Sequence, residues 1–154
     1  MKLRVAFDTS VLVAGLVEGH PAFPLAALWL DAADGGEIEA LWTTHAFAEI
    51  WSVLTRLPTA ARIEVAAVNR LLADLAGQVE PTALSLEDYT AAAERCAAAG
   101  VRSGAIFDAL HLVVAERAGA EALLTLNVKD FARLAPRLPV LEPPPTLCLP
   151  RVGP

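Results

Sequence analysis

Two acidic residues stand in apolar surroundings where a solvated carboxylate is not expected. Asp108 lies within the stretch Ala105–Ala115, whose apolar residues recur at helical spacing, and Glu49 lies between the apolar segments 46–48 and 50–51. A carboxylate in such a setting is costly unless it is paired or coordinated to a metal. These two acids therefore carry more chemical information than the acids in polar or turn-like stretches.

Further polar residues follow two apolar runs that are predicted to be buried strands. Asp8 comes directly after the run Leu3–Phe7, and Asn127 and Asp130 follow the run Ala122–Leu126. In an open α/β sheet, ligands bind at the carboxyl ends of the strands, so we expect these side chains near one edge. Several carboxylates from separate elements suit Mg²⁺ or Mn²⁺, which prefer oxygen ligands. Such an ion can activate water and stabilise charge on a phosphoryl oxygen.

The elements that must position these residues alternate between strands and helices. Apolar runs predict strands at 3–7, 38–42, 122–126 and 140–141, with a weaker candidate at 79–84. Helical spacing and capping residues predict helices at 25–34, 44–57, 59–76, 86–99 and 103–118, with Thr59 capping the third and Ser85 and Asp88 opening the fourth. This alternation predicts a three-layer α/β/α fold with a mostly parallel central sheet. One domain is expected over residues 1–142, followed by a Pro-rich C-terminal tail at 143–154.

Composition excludes several classes of protein. With 154 residues, of which 55% are hydrophobic and 19% charged, the chain is neither disordered nor collagen-like. Its apolar runs are too short to span a membrane and it begins without a signal-peptide pattern, so we expect no membrane partner. Its two cysteines, Cys96 and Cys148, have no CxxC partner, so we expect a reduced, cytoplasmic protein. The net charge of −6 argues against a generic nucleic-acid coat, but not against an enzyme whose acids bind metal. Zinc, P-loop, dinucleotide and serine-hydrolase motifs are absent from the sequence.

Four blocks of the sequence resemble those of PIN-domain ribonucleases, and more specifically those of VapC-type toxins from toxin–antitoxin pairs. The blocks read DTSVLV at 8–13, THAFAEI at 44–50, FDALHL at 107–112 and LTLNVKDF at 124–131. Each block alone is weakly specific, but all of them in this order and at these spacings are specific together, and they extend over nearly the whole chain. The resemblance implies a PIN-like fold and a metal-dependent endoribonuclease that cleaves RNA with a metal-activated water.

The resemblance also implies which residues form the site. Asp8, Glu49 and Asp108 correspond to the family's catalytic acids and would hold Mg²⁺ or Mn²⁺. Ser10 and Thr125 would be their hydrogen-bonding companions.

The fourth block departs from the family pattern at one position. The family often has Asp two residues after the Thr, whereas this chain has Asn127, followed by Asp130. Asn127 offers a carbonyl oxygen but no charge. The fourth catalytic and metal-binding position is therefore open between Asp130 directly and either residue through water, and Asp130 is favoured as the charged member.

The same resemblance implies partners. RNA would be the substrate, and a cognate antitoxin would lay a segment, often with a basic residue, into the acidic site. A homodimer is also expected. The helix at 62–76 could serve the homodimer or the antitoxin, or could be ordinary core.

Two other classes of function remain open. A catalytically silent PIN scaffold that binds RNA or protein is favoured by Asn127. An aspartate-based, phosphatase-like α/β domain would use Asp8 as a nucleophile, but that class has a second Asp where this chain has Ser10. The three histidines are interpreted without catalytic roles, since His111 is expected to be a packed helix residue, and His20 and His45 loop and helix-start residues.

Overall fold

The computed structural model describes residues 1–151, which form a parallel sheet surrounded by helices. The strands are β1 (Arg4–Phe7), β2 (Glu39–Leu41), β3 (Ala122–Leu124) and β4 (Val140–Leu141). The helices are α1 (Thr9–Leu16), α2 (Phe23–Asp34), α3 (Thr44–Thr55), α4 (Val65–Gln78), α5 (Leu86–Ala99), α6 (Ala105–Arg117) and α7 (Val128–Ala132). All strand pairs are parallel, in the order β2-β1-β3-β4. The predicted α/β class with a parallel sheet is confirmed.

Helices cover both faces of the sheet because successive strand residues point to opposite sides. Val5 and Phe7 of β1 belong to a core cluster shared with α1–α4. Ala6, between them, belongs to a second cluster formed with α5, α6 and α7. The chain therefore folds into three layers, as the alternation of predicted elements indicated.

Local signals mark some element boundaries well and others poorly. The capping box of Ser85 and Asp88 opens α5, and Gly100, at φ +67°, ends it. Thr59, by contrast, does not cap α4: residues 59–61 form a 3-10 turn, and an extended backbone at Arg62 and Glu64 separates that turn from the helix. The weak strand candidate at 79–84 reduces to a single parallel bridge between residues 43 and 82.

The segment after β4 packs against the domain. Pro143 is buried, and the indole Nε1 of Trp29 donates to the carbonyl of Pro144 at 2.8 Å. Leu147 and Leu149 lie against the core cluster of α1–α4. Residues 152–154 of the predicted tail lie outside the described residues, and the boundary at residue 142 stays a prediction.

The helices are short. The longest in residues 1–151 are α4 and α5, with 14 residues each. Over that part of the chain, none has both the length and the apolar character needed to cross a membrane.

Candidate active site

The candidate site lies at the carboxyl edge of the sheet, above the neighbouring strands β1 and β3. The chain passes from β1 to β2 on one side of β1 and later places β3 on its other side, so a topological switch point falls between β1 and β3. Asp8 follows β1 and Thr125 follows β3, and the amide of Asp8 donates to the carbonyl of Leu124 at 3.1 Å. The sheet topology thus brings together residues 117 positions apart in the sequence.

Asp8 is the most tightly held acid of the site. It is 3% exposed and forms the N-cap of α1, where its Oδ1 accepts from the amide of Val11 at 3.1 Å. Ser10 Oγ donates to the same oxygen at 2.6 Å, and Thr125 Oγ1 donates to Oδ2 at 2.6 Å. Burial raises the pKa of Asp8, and the hydrogen bonds from Ser10 and Thr125 offset part of that effect.

Ser10 and Thr125 also shape the loop that follows β3. Ser10 Oγ accepts from the amide of Leu126 at 2.9 Å, and Thr125 Oγ1 accepts from the amide of Asn127 at 2.9 Å. Each hydroxyl therefore donates to Asp8 while it accepts from the loop. The structure places both residues beside Asp8, and their role as companions in catalysis stays a prediction.

Glu49 reaches the site from α3. Its Oε1 accepts from Thr9 Oγ1 at 3.1 Å and lies 2.9 Å from His111 Nε2. Burial acts to raise the pKa of Glu49, but the hydrogen bond and the charge of His111, together with smaller effects of the Thr9 hydrogen bond and the charge of His45, outweigh it, so the pKa is lower than usual. This carboxylate is therefore held in its ionised form.

Asp108 lies in the first turn of α6 and is partly buried. Burial is the main cause that raises the pKa of Asp108 to about 6, and the negative charge of Asp8 adds to it. The opposing effect of His111 is smaller, and Asp130 and Glu49 contribute further repulsion. The acids are thus close enough to disfavour one another's ionisation, which a bound cation would relieve.

Asp8, Glu49 and Asp108 line one surface depression of about 390 Å³. The other residues that line it are Thr9, Ser10, Val13, His20, Val53, His111, Leu126 and Asn127. The structure therefore brings together acids from three separate elements, β1–α1, α3 and α6. This convergence was expected from the sequence.

Comparison with known proteins places the chain in a family. The PIN-domain family model matches residues 5–136. This chain belongs to the PIN-domain family. Ribonuclease VapC40 of Mycobacterium tuberculosis is 39% identical over 125 residues, which cover 81% of this chain and 87% of that protein. The predicted resemblance to VapC-type PIN domains is confirmed.

Solved structures support the same fold at lower sequence identity. The crystal structure of VapC20 from Mycobacterium tuberculosis, described as a sarcin-ricin loop cleaving toxin, superposes with a TM-score of 0.63 at 19% identity, over 83% of this chain and 93% of that one. VapBC2 from Rickettsia felis, bound to a DNA fragment from its promoter, gives a TM-score of 0.65 at 18% identity, over 90% and 97% of the two chains. The predicted PIN-like α/β architecture is confirmed.

The two candidates for the fourth position of this PIN domain occupy different places. Asn127 lines the depression, whereas Asp130 is exposed on α7 and pairs with Arg133 at 3.1 Å. Asp130 is nevertheless near enough for its charge to raise the pKa of Asp108. Which of the two serves the site stays a prediction.

The donor atoms of this PIN domain fit a hard divalent cation. Carboxylate oxygens and the Asn127 amide are the ligand types that Mg²⁺ prefers. Within residues 1–151, no three His, Cys, Asp or Glu side chains stand close enough to form a complete ligand set by themselves. Mg²⁺ is usually held by one or two carboxylates with several waters, so a small protein ligand set suits it.

The histidines are the part of this PIN domain that sequence reasoning missed. His111 is buried, as expected, but it also contacts Glu49, and Thr43 Oγ1 lies 3.1 Å from its Nδ1. His20 lines the depression, and its Nδ1 accepts from the amide of residue 22 at 3.0 Å. A signal for His111 was present, since it follows Asp108 by three residues in the same apolar run and thus shares its helix face.

Proposed function

We propose that this PIN domain is a divalent-metal-dependent endoribonuclease and the toxin of a type II toxin–antitoxin pair. The observation that carries the proposal is the convergence of Asp8, Glu49 and Asp108 on one depression at the carboxyl edge of the sheet. The similarity to a protein named as a ribonuclease, VapC40, supports RNA as the substrate.

Asp8, Glu49 and Asp108 would hold Mg²⁺ or Mn²⁺, some of them through bound water because no three of the acids among residues 1–151 form a complete ligand set by themselves, with Asn127 or Asp130 at the fourth position. When bound, such an ion supplies Lewis-acid stabilisation of phosphoryl charge and lowers the pKa of a water molecule. Asp8 contributes rigidity, because three hydrogen bonds fix its carboxylate. Asp130 is the charged candidate for the fourth position. Because it lies outside the depression that Asn127 lines, it would contact the ion through water.

The residue types speak against the phosphatase-like alternative. That class has a second Asp two residues after the nucleophile, where this chain has Ser10. Ser10 Oγ donates to Asp8 Oδ1 at 2.6 Å, so this position supplies a hydrogen bond and no second carboxylate.

A cognate antitoxin and a second copy of the chain are the proposed protein partners. The solved VapBC2 assembly supports an antitoxin, and the net charge of −6 suits a partner with a basic segment. Large apolar side chains exposed on neighbouring helices support a protein-binding surface, namely Phe47 and Trp51 on α3 and Val65 on α4.

The test is a cleavage assay on mixed structured RNAs with purified, antitoxin-free protein in Mn²⁺, Mg²⁺ or EDTA. We expect cleavage that needs metal and falls at least about 100-fold in Asp108→Asn, since loss of one charged ligand removes charge stabilisation from the transition state. Glu87→Gln, at an exposed acid on α5, is the matched control and should cleave like the unmodified chain.

If no RNA is cleaved, a measurement of Mn²⁺ binding in the same sample distinguishes between two explanations. If no RNA is cut but Mn²⁺ binds in an Asp108-dependent way, the target RNA is absent from the mixture. If Mn²⁺ does not bind, the enzyme proposal is wrong and the silent scaffold takes its place.

A further inference from the structure

The buried imidazole of His111 on helix α6 contacts two side chains of the α3 region, one within the helix and one at its N-cap. His111 is 3% exposed, and its Nε2 lies 2.9 Å from Glu49 Oε1. Its Nδ1 lies 3.1 Å from the hydroxyl of Thr43, the N-cap residue of α3. Both ring nitrogens are therefore engaged, each by a different polar side chain.

The partners of the ring decide which nitrogen carries the proton. Thr43 Oγ1 accepts from the amide of Ala46 at 3.1 Å, and its own proton can be donated to the ring. Nδ1 can accept that proton only if it is unprotonated. An ionised carboxylate can only accept, so Nε2 must carry the hydrogen that reaches Glu49. The consistent arrangement runs from Thr43 O–H to Nδ1, and from Nε2–H to Glu49.

A second donor meets the same oxygen of Glu49. Thr9 Oγ1 donates to Glu49 Oε1 at 3.1 Å and lies 3.3 Å from His111 Nε2. Because Thr9 directly follows Asp8, this contact also fixes Glu49 relative to the most tightly held acid of the site. Both donors converge on Oε1, so neither of them uses Oε2.

We propose that His111 is a positioning residue, which holds Glu49 in its metal-binding orientation through Nε2–H, and that a hydrogen bond from Thr43 to Nδ1 stabilises this tautomer. The inference rests on the proposed function, since it assigns Glu49 to a metal. A hydrogen bond to a ligating carboxylate restricts its rotamers before the ion arrives, and loss of such an outer contact usually costs about 10–100-fold in metal affinity. A histidine that only filled space would have no such effect.

The first test is ¹⁵N NMR of the histidine rings in the metal-free chain at about pH 8, where an ordinary imidazole is neutral. His111→Gln identifies the His111 signals among those of the three histidines. We expect a protonated Nε2 and an unprotonated Nδ1. An unprotonated Nε2, or a ring protonated on both nitrogens at that pH, overturns the assignment. This measurement does not depend on nuclease activity or on metal binding.

The second test compares His111→Gln with His111→Asn by Mn²⁺ titration calorimetry, after circular dichroism has shown that each variant is folded. The amide nitrogen of Gln falls close to the place of Nε2 and can still donate to Glu49, whereas that of Asn falls close to Nδ1 and cannot. We expect Gln to keep the Mn²⁺ affinity within about threefold and Asn to lose about tenfold or more.

Three outcomes contradict the positioning role. These are equal affinities of the two folded variants, unchanged affinity in Asn, or the NMR result named above. If the unmodified chain binds no Mn²⁺, the proposed function is wrong. The NMR measurement still tests the hydrogen bonds of His111 in that case. If the Asn variant does not fold, the NMR result decides.

Discussion

At the scale of single residues, three acids of one site experience three different environments. Asp8 is buried but receives three hydrogen bonds, and Glu49 receives donors from Thr9 and His111. For Asp108, burial and the neighbouring acids together raise its pKa to about 6. Among the acids of the site, Asp108 therefore carries a charge that the folded state disfavours near neutral pH.

Asp108→Asn should stabilise the metal-free chain near neutral pH. The pKa of Asp108 is about 6 in the folded state, against an ordinary value of 3.8 for a solvated aspartate. The folded state thus binds the proton more tightly, and the free energy of unfolding falls as pH rises from about 4 through about 6. We expect the advantage of the variant over the unmodified chain to grow by up to about 1 kcal/mol between pH 5 and pH 7.5, since about half of the linkage effect already falls below pH 5 and the side chain is partly solvated.

Urea unfolding in EDTA at both pH values measures this effect. Added Mn²⁺ should raise the free energy of unfolding of the unmodified chain but not that of the variant. A difference between the two chains that is the same at pH 5 and pH 7.5 would contradict the prediction.

At the scale of elements, the pair α5–α6 keeps Asp108 and His111 in place. Arg117, at the end of α6, donates from Nε and Nη2 to the two carboxylate oxygens of Asp88, at 2.9 Å each. Asp88 also closes the capping box of α5 with Ser85. The start of one helix is thereby tied to the end of the other, which fixes how α6 lies across the sheet.

The turn between these helices depends on Gly100. Its φ of +67° is left-handed, and a Cβ there would meet no atom within 4 Å, so the backbone alone makes a substitution unfavourable. We expect Gly100→Ala to lower the free energy of unfolding by about 1 kcal/mol.

Gly77→Ala is the matched control, since it lies within α4 and its Cβ would also meet open space. It should raise the free energy of unfolding by up to about 1 kcal/mol. Urea denaturation of both variants checks that the two changes in the free energy of unfolding have opposite signs. The backbone explanation is wrong if both variants are destabilised, or if neither is.

At the scale of the whole molecule, the chain after the last strand completes the packing of one outer layer. Trp29 is fully buried, and its indole N–H is satisfied by the carbonyl of Pro144. Leu147 and Leu149 cover the same layer. Residues 143–151 therefore contribute to the core around α2 although their Pro-rich composition indicates a tail.

A chain that ends at Glu142 should keep the sheet, because β4 ends at Leu141, but should be less stable. Truncation leaves the buried Trp29 N–H without its partner and exposes apolar surface, so we expect a loss of at least about 2 kcal/mol. Trp29→Phe, which removes only the N–H and some ring area, separates the two contributions. Thermal unfolding measures both, and equal stability of the truncated and full chains would show that the boundary at 142 is a true domain end.

Much of the fold and part of the site followed from local sequence features. The apolar runs before Asp8 and Asn127 and the capping box at Ser85 each involve residues only a few positions apart. The sequence alone therefore predicts the strands and the helix start that they form. Asp108 and Glu49 stood out because a carboxylate in an apolar helix requires compensation wherever that helix packs. Parallel strands then place whatever follows them at one common edge.

The tertiary structure decided what depends on contacts between distant segments. That Asn127 lines the depression while Asp130 faces solvent follows from how α7 sits on the domain. The contact of His111 with Glu49 joins residues 62 positions apart. Neither arrangement can be predicted from neighbouring residues in the sequence. Helical spacing predicts which residues lie on the same face of one helix, but it does not predict which side chains of other elements contact that face. Sequence pattern therefore determined the acids and the sheet edge that collects them, and packing determined which polar side chains hold those acids in place.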